Sequence, residues 1–149
     1  MAVAKPLTPT IGAEIEGLDL RKPLDPARQT WLGDQLVRYK VIFFRDQDIS
    51  AKQHLEFARQ FGTLETHPVN PKEGYPELLV LHNDSNRPPS DTAIWHSDVT
   101  WRAQPSLGSI LIARKVPEIG GDTLFADMEA AYDGLDDSVR AAIEGRQAC

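Results

Sequence analysis

Hydrophobic and polar positions alternate over IGAEIEGLDL, residues 11–20, with Ile11, Ala13 and Ile15 on one face and Glu14 and Glu16 on the other. That period of two predicts a half-buried strand. Asp25-Pro26 then opens a helix, because Asp caps well and Pro fits the first helical position. Leu32, Leu36 and Tyr39 follow at helical spacing and give that helix a buried face. Val41–Phe44 reads as a short buried strand ended by the polar turn RDQD. Ser50 and Gln53 form a capping-box pattern, Phe57, Ala58 and Phe61 continue that helix, and Gly62 is its expected stop. Residues 63–77, with three prolines and one glycine, read as a loop. LLVLH at 78–82 reads as a strand, 83–91 as a polar loop and 92–101 as extended chain. Ser109–Val116 is a strand with a buried middle, Glu118–Asp122 a Gly-Gly hairpin turn, and Thr123–Ala126 a short strand. Asp127 and Asp136 are expected to cap two closing helices.

Many short strands with a few helices predict an α+β fold, a sandwich or jelly roll carrying extra helices. The strands are too few for two complete sheets, and none follows the last helix pattern, VRAAIEG. The pattern reads as a domain interrupted part-way.

Composition and charge narrow the class. The 149 residues are 41% apolar, enough for one domain with a core and too few for two ordinary domains. Lys and Arg number 16 and Asp and Glu 22, a formal net charge of -6. That balance argues against binding nucleic acid through bulk charge and against a polybasic membrane surface. No apolar run exceeds four residues, so none can cross a bilayer, and MAVAKPLTPT lacks the apolar core of a secretory signal. The single cysteine, Cys149, excludes an internal disulfide and a cysteine-based zinc site. A cytoplasmic location is expected.

The chemical signal is WHSDVTW, residues 95–101. On a strand, His96 and Asp98 share a face roughly 7 Å apart and can converge on one metal. An imidazole and a carboxylate suit Fe(II), and a second histidine completes a facial triad. H-x-D alone is also what an ordinary surface pair looks like. His54, among Phe57, Ala58 and Phe61, reads as a packing or boundary histidine, Thr123 as a β-branched strand residue, and the tryptophans as core.

The run WHSDVTW, PSLGSILIA and GGDTLFADMEAAYDGL resembles the taurine dioxygenase family of Fe(II)- and 2-oxoglutarate-dependent enzymes, which includes the 2,4-dichlorophenoxyacetate dioxygenases. IGAEIEGLDLRKPL, VIFFRDQDIS and FARQFGTLETHPV fall in the family's order, so the resemblance spans roughly residues 7–145. It implies a double-stranded β-helix (jelly roll) with flanking helices, of which residues 1–149 are the N-terminal part of a single domain. His96 and Asp98 match two iron ligands. Thr123 matches a threonine that helps hold a 2-oxoglutarate carboxylate, and His67 a histidine that touches the substrate's anionic head. Trp101 and the backbone at Val99 are implied to line the substrate side of the iron. Asn70 stands where taurine enzymes carry a tyrosine, and Thr92 where they carry an asparagine, so a different sulfonate, a sulfate ester or a carboxylate is an alternative to taurine as substrate.

The resemblance also implies a distal histidine and a 2-oxoglutarate-binding arginine. No histidine follows His96, and Arg102, Arg114, Arg140 and Arg146 come too early to match that arginine. Three readings follow. One is a dioxygenase that uses O2 to oxidise a small anionic substrate, forming succinate and CO2. Another is a truncated, non-catalytic fragment that binds metal weakly and associates with itself or another chain through exposed strand faces. The third is a zinc hydrolase using His96 and Asp98 with His67 or His82.

Overall fold

The protein is described from a computed structural model over residues 1–66, 71–82 and 94–147. The sequence predictions at His67, Asn70, Thr92, residues 83–91 and Cys149 lie outside the described residues. The chain divides into two compact units, Met1–Asp48 with Asp122–Cys149, and Ile49–Gly121.

The first unit is built on a three-stranded sheet in the order β1-β2-β3. Strand β1, Val3–Pro6, pairs antiparallel with β2, Ala13–Glu16, which pairs parallel with β3, Ile42–Phe43. The alternation at 11–20 is realised in β2, where Ala13 and Ile15 are buried while Glu16 stays exposed. Strand β1 has no such alternation and was not anticipated. Its Lys5 meets Glu16 at 2.6 Å across the ladder. Gly17 follows β2 at φ 78°, where a Cβ would lie 2.5 Å from the Met1 carbonyl oxygen, so this turn has room only for glycine.

Helix α1, Pro26–Tyr39, begins where Asp25 and Pro26 indicate, the Asp25 side chain accepting from the Arg28 N–H at 2.8 Å. Leu32 is fully buried, and Leu36 and Tyr39 are half-buried. The Tyr39 carbonyl accepts from the Gly12 N–H at 2.9 Å, and the Val41 carbonyl from Ala13 at 3.1 Å, so the end of α1 delivers the chain onto β2. After β3 the RDQD turn contributes more than a stop. Gln47 accepts from the Leu20 N–H and donates to the Leu18 and Arg45 carbonyls, at 3.0, 3.3 and 3.0 Å. Helix α3, Met128–Asp133, is capped by Asp127, and α4, Asp137–Ile143, follows Asp136. The expected Asp136 side-chain cap does not form, and only its carbonyl serves the helix.

The second unit opens with helix α2, Ala51–Ala58, which realises the reciprocal Ser50–Gln53 capping box. Arg59 is its C-cap, so Gly62 lies three residues beyond and is not the stop the sequence suggested. Ile49, Leu55 and Phe57 are the buried apolar residues of this unit. The segment read as a loop contains a hairpin, β4 at Pro71–Lys72 and β5 at Tyr75–Leu79, turning at Gly74 with φ 76°. Strand β5 begins three residues before the expected LLVLH strand, because pairing with β4 rather than apolar character fixes its ends. Arg59 on α2 meets Glu77 of β5 at 2.9 Å.

Two further expectations are corrected among the described residues. Residues 109–116 and 123–126 form no strand, and the Gly120-Gly121 turn therefore joins no hairpin. A strand exists only through hydrogen bonds to a neighbour, and none is present beside them. The described fold is thus a small mixed α/β arrangement, within which no helix is long and apolar enough to cross a membrane.

Candidate metal centre

His96 and Asp98 come together, but not on a strand. Residues 98–101 turn, with Val99 at φ 47° in the left-handed region and the Arg102 N–H bonding to the Val99 carbonyl at 3.1 Å. A β-branched residue rarely occupies that region, so the turn carries local strain. Two contacts hold it. Ser97 and Thr100 hydroxyls meet at 2.7 Å, and Arg102 donates to Glu65 at 2.6 Å, whose other oxygen accepts from Ser106 at 2.6 Å.

His96, just before this turn, has its Nε2 3.5 Å from Asp98 Oδ1. The outer atom of each side chain is already engaged. His96 Nδ1 is 2.9 Å from the Ile94 carbonyl, which can only accept, so Nδ1 carries the proton of the neutral ring. The lone pair then resides on Nε2. Asp98 Oδ2 accepts from the Ser109 hydroxyl at 3.0 Å, leaving Oδ1 to face Nε2. Two electron-pair donors facing each other repel unless a proton or a cation sits between them.

The pair fits a metal on its donor chemistry and spacing. Donors at adjacent corners of an octahedron, each about 2.1 Å from the ion, lie about 3.0 Å apart, so a small side-chain rotation suffices. Hydrogen bonds that fix a ligating imidazole and carboxylate in this manner are what metal sites use. Both side chains are about two-thirds exposed, which leaves the facing atoms accessible.

Among the other predicted site residues, Trp101 lies in the same turn, exposed, with the Arg102 guanidinium 5.1 Å from its ring. Val99 is half-buried in that turn. Thr123 belongs to the first unit, in an exposed stretch without regular structure. Among the described residues no third His, Cys, Asp or Glu completes a metal-holding group, so His82 does not join the pair, and His67, the other candidate of the zinc reading, lies outside the described residues. Ser109 was missed. It lies 11 positions from Asp98, and no local spacing rule connects a serine to a carboxylate at that separation.

The family model of the taurine catabolism dioxygenase TauD, TfdA family matches residues 4–148. The chain belongs to this family. The curated relatives include proteins named as α-ketoglutarate-dependent dioxygenases of phenoxy acids, sulfonates and sulfate esters. The chain is 35% identical to the (S)-phenoxypropionate/α-ketoglutarate dioxygenase of Sphingobium herbicidovorans, over 96% of this chain and 51% of that one. It is similar to the crystal structure of a taurine dioxygenase from Burkholderia xenovorans, with a TM-score of 0.84 and 36% identity, covering 97% of this chain and 51% of that one. It is also similar to AAD-2 crystallised with Mn(II) and N-oxalylglycine, with a TM-score of 0.72 and 36% identity, covering 97% and 50%. This TauD-family chain therefore spans about half the length of these relatives.

Proposed function

We propose that this chain carries two of the iron ligands, His96 and Asp98, of a 2-oxoglutarate-dependent dioxygenase. It is the N-terminal part of a single domain folded as a double-stranded β-helix. The observation that carries the reading is the 3.5 Å approach of His96 Nε2 to Asp98 Oδ1, with Nδ1 and Oδ2 each engaged elsewhere. AAD-2, a relative in structure, was crystallised with Mn(II) and N-oxalylglycine, which supports a divalent ion and a 2-oxo diacid at the corresponding site.

When bound, Fe(II) supplies oxygen chemistry that side chains lack, by which 2-oxoglutarate is converted to succinate and CO2 while a substrate C–H bond is hydroxylated. His96 contributes a neutral nitrogen held in one tautomer. Asp98 contributes the negative charge that favours a divalent cation. The Thr123 hydroxyl is assigned to a carboxylate of 2-oxoglutarate. Trp101 and the backbone at Val99 form the substrate wall beside the ligand pair, where they exclude water and orient the reacting carbon. His67, Asn70 and Thr92 are assigned to the anionic head of the substrate. Relatives named for phenoxypropionate and for taurine support a small organic carboxylate or sulfonate. The single cysteine is in keeping with a cytoplasmic enzyme.

A second reading has its own observation, that among the described residues no third ligand joins the pair. On it, the chain alone holds metal weakly and does not turn over, because two donors bind far less tightly than three. Anaerobic titration with Fe(II) and 2-oxoglutarate separates the two. The first reading expects a visible charge-transfer band that His96→Ala abolishes. The second expects no band, with weak binding of Mn(II) that His96→Ala removes. Tight zinc binding with no band overturns both and favours a hydrolase.

A further inference from the structure

The turn beside the ligand pair is held from outside as well as from within. Val99 sits at φ 47°, and a strained backbone persists only where its surroundings hold it. The Ser97–Thr100 hydroxyl contact and the Arg102 N–H bond to the Val99 carbonyl belong to the turn itself and move with it. Glu65 supplies the outside hold, from 37 positions before Arg102 and 41 before Ser106.

The Glu65 carboxylate is engaged at both oxygens. Oε2 accepts from the Arg102 guanidinium at 2.6 Å, and Oε1 accepts from the Ser106 hydroxyl at 2.6 Å. Arg102 closes the turn and Ser106, half-buried, follows four residues later, so the two bonds grip the chain as it leaves the turn. The same guanidinium lies 5.1 Å from the centre of the Trp101 ring, within cation–π range. A line of contacts therefore runs from Glu65 through Arg102 to Trp101, the residue assigned above to the substrate wall.

Exposure shows what this line of contacts does. The Arg102 side chain is 38% exposed and that of Glu65 50%, and an ion pair so open to water adds little to folding stability. Trp101 is 81% exposed, so burial does not fix its indole. A short charge-assisted hydrogen bond does restrict the long Arg102 side chain, and with it the ring against which the guanidinium lies. We infer that Glu65 is a positioning residue, which acts through Arg102 to set the orientation of Trp101 beside the ligand pair and hence the room left for the body of the substrate. This inference rests on the site reading proposed above and deepens it.

Trp31→Phe with Trp95→Phe leaves Trp101 as the one fluorophore of the three tryptophans in the full 149-residue chain. Time-resolved fluorescence anisotropy then reads the motion of its ring. Glu65→Ala should roughly double the amplitude of the subnanosecond decay, and Arg102→Ala should do the same. Adding Glu65→Ala to Arg102→Ala should change nothing further, because Glu65 acts through Arg102. Glu65→Gln should keep the parent amplitude, since its amide oxygen still accepts from Arg102 and its amide N–H donates to the Ser106 hydroxyl. The melting temperature should move by no more than about 4 °C in each variant, a limit that a merely structural role would exceed. An unchanged amplitude in Glu65→Ala overturns the inference. So does a further rise in the double variant, or a Glu65→Ala chain that unfolds. Mn(II) titration of the parent chain keeps the two proposals distinguishable. Absence of binding removes the ligand assignment and, with it, the substrate wall that Glu65 would position. Binding by a chain whose Trp101 ignores Glu65→Ala removes the role of Glu65 alone.

Discussion

At the scale of single residues, the proposed centre depends on groups that hold His96 and Asp98 as much as on the pair itself. Ser109 fixes one carboxylate oxygen of Asp98 through a 3.0 Å hydrogen bond. Ser109→Ala frees that carboxylate to rotate, and Mn(II) affinity should fall about tenfold. Electron paramagnetic resonance of free Mn(II) measures this, and an unchanged affinity with an unchanged circular dichroism spectrum would remove Ser109 from the centre. His54 makes a different prediction. Burial chiefly lowers its pKa below the ordinary value of 6.5, the Ile110 carbonyl opposes that shift, and Arg114 adds to it. The unfolded chain then binds the proton more readily than the folded one. The stabilisation is fully present above pH 6.5 and is lost as pH falls below it toward the folded pKa. The melting temperature should drop between about pH 7.5 and 5.5, and His54→Gln should flatten that drop while the other three histidines remain. Equal slopes in thermal melts of the two proteins would show that His54 is not the titrating group. The sequence marked His54 as a packing or boundary histidine, and it is half-buried with its ring 3.0 Å from the Ile110 carbonyl.

At the scale of elements, the caps divide into those that act and one that does not. Ser50 accepts from the Gln53 N–H while Gln53 returns a bond to the Ser50 N–H, so Ser50→Ala should cost about 1 kcal/mol. Asp136 makes no side-chain cap bond, so Asp136→Ala should change stability by less than about 0.5 kcal/mol. Urea melts of both variants compare them directly, and a larger loss at Asp136 would contradict the assignment. Helices α1 and α2 were legible because caps and helical periodicity are local. Strands were legible where an alternating or apolar run met a partner, as in β2, β3 and the end of β5. Strand β2 has both, whereas β1 and β4 lack the alternation and exist because β2 and β5 lie beside them. The SILIARKV run, residues 109–116, has the composition without a partner and forms no strand.

At the scale of the whole molecule, the described residues bury few apolar side chains and leave many bare. Ala13, Ile15, Leu20 and Leu32 are buried in the first unit and Ile49, Leu55 and Phe57 in the second, whereas Trp95, Trp101, Leu107, Leu111 and Ile119 are exposed. Acrylamide should therefore quench Trp95 and Trp101 nearly as readily as free tryptophan, a result measured on Trp95→Phe and Trp101→Phe variants, and strong protection of either would contradict the exposed arrangement. The amino-acid sequence by itself determined the family, the two capped helices and the candidate pair, His96 and Asp98, because each is written in residues close together along the chain. The geometry of that pair was decided in three dimensions. The sequence places His96 and Asp98 two positions apart, and the contacts of Ile94 and Ser109 with one outer atom of each leave the facing atoms 3.5 Å apart. Strand pairing was decided the same way, since hydrogen bonds between distant segments belong to the folded chain and to no local stretch of its sequence.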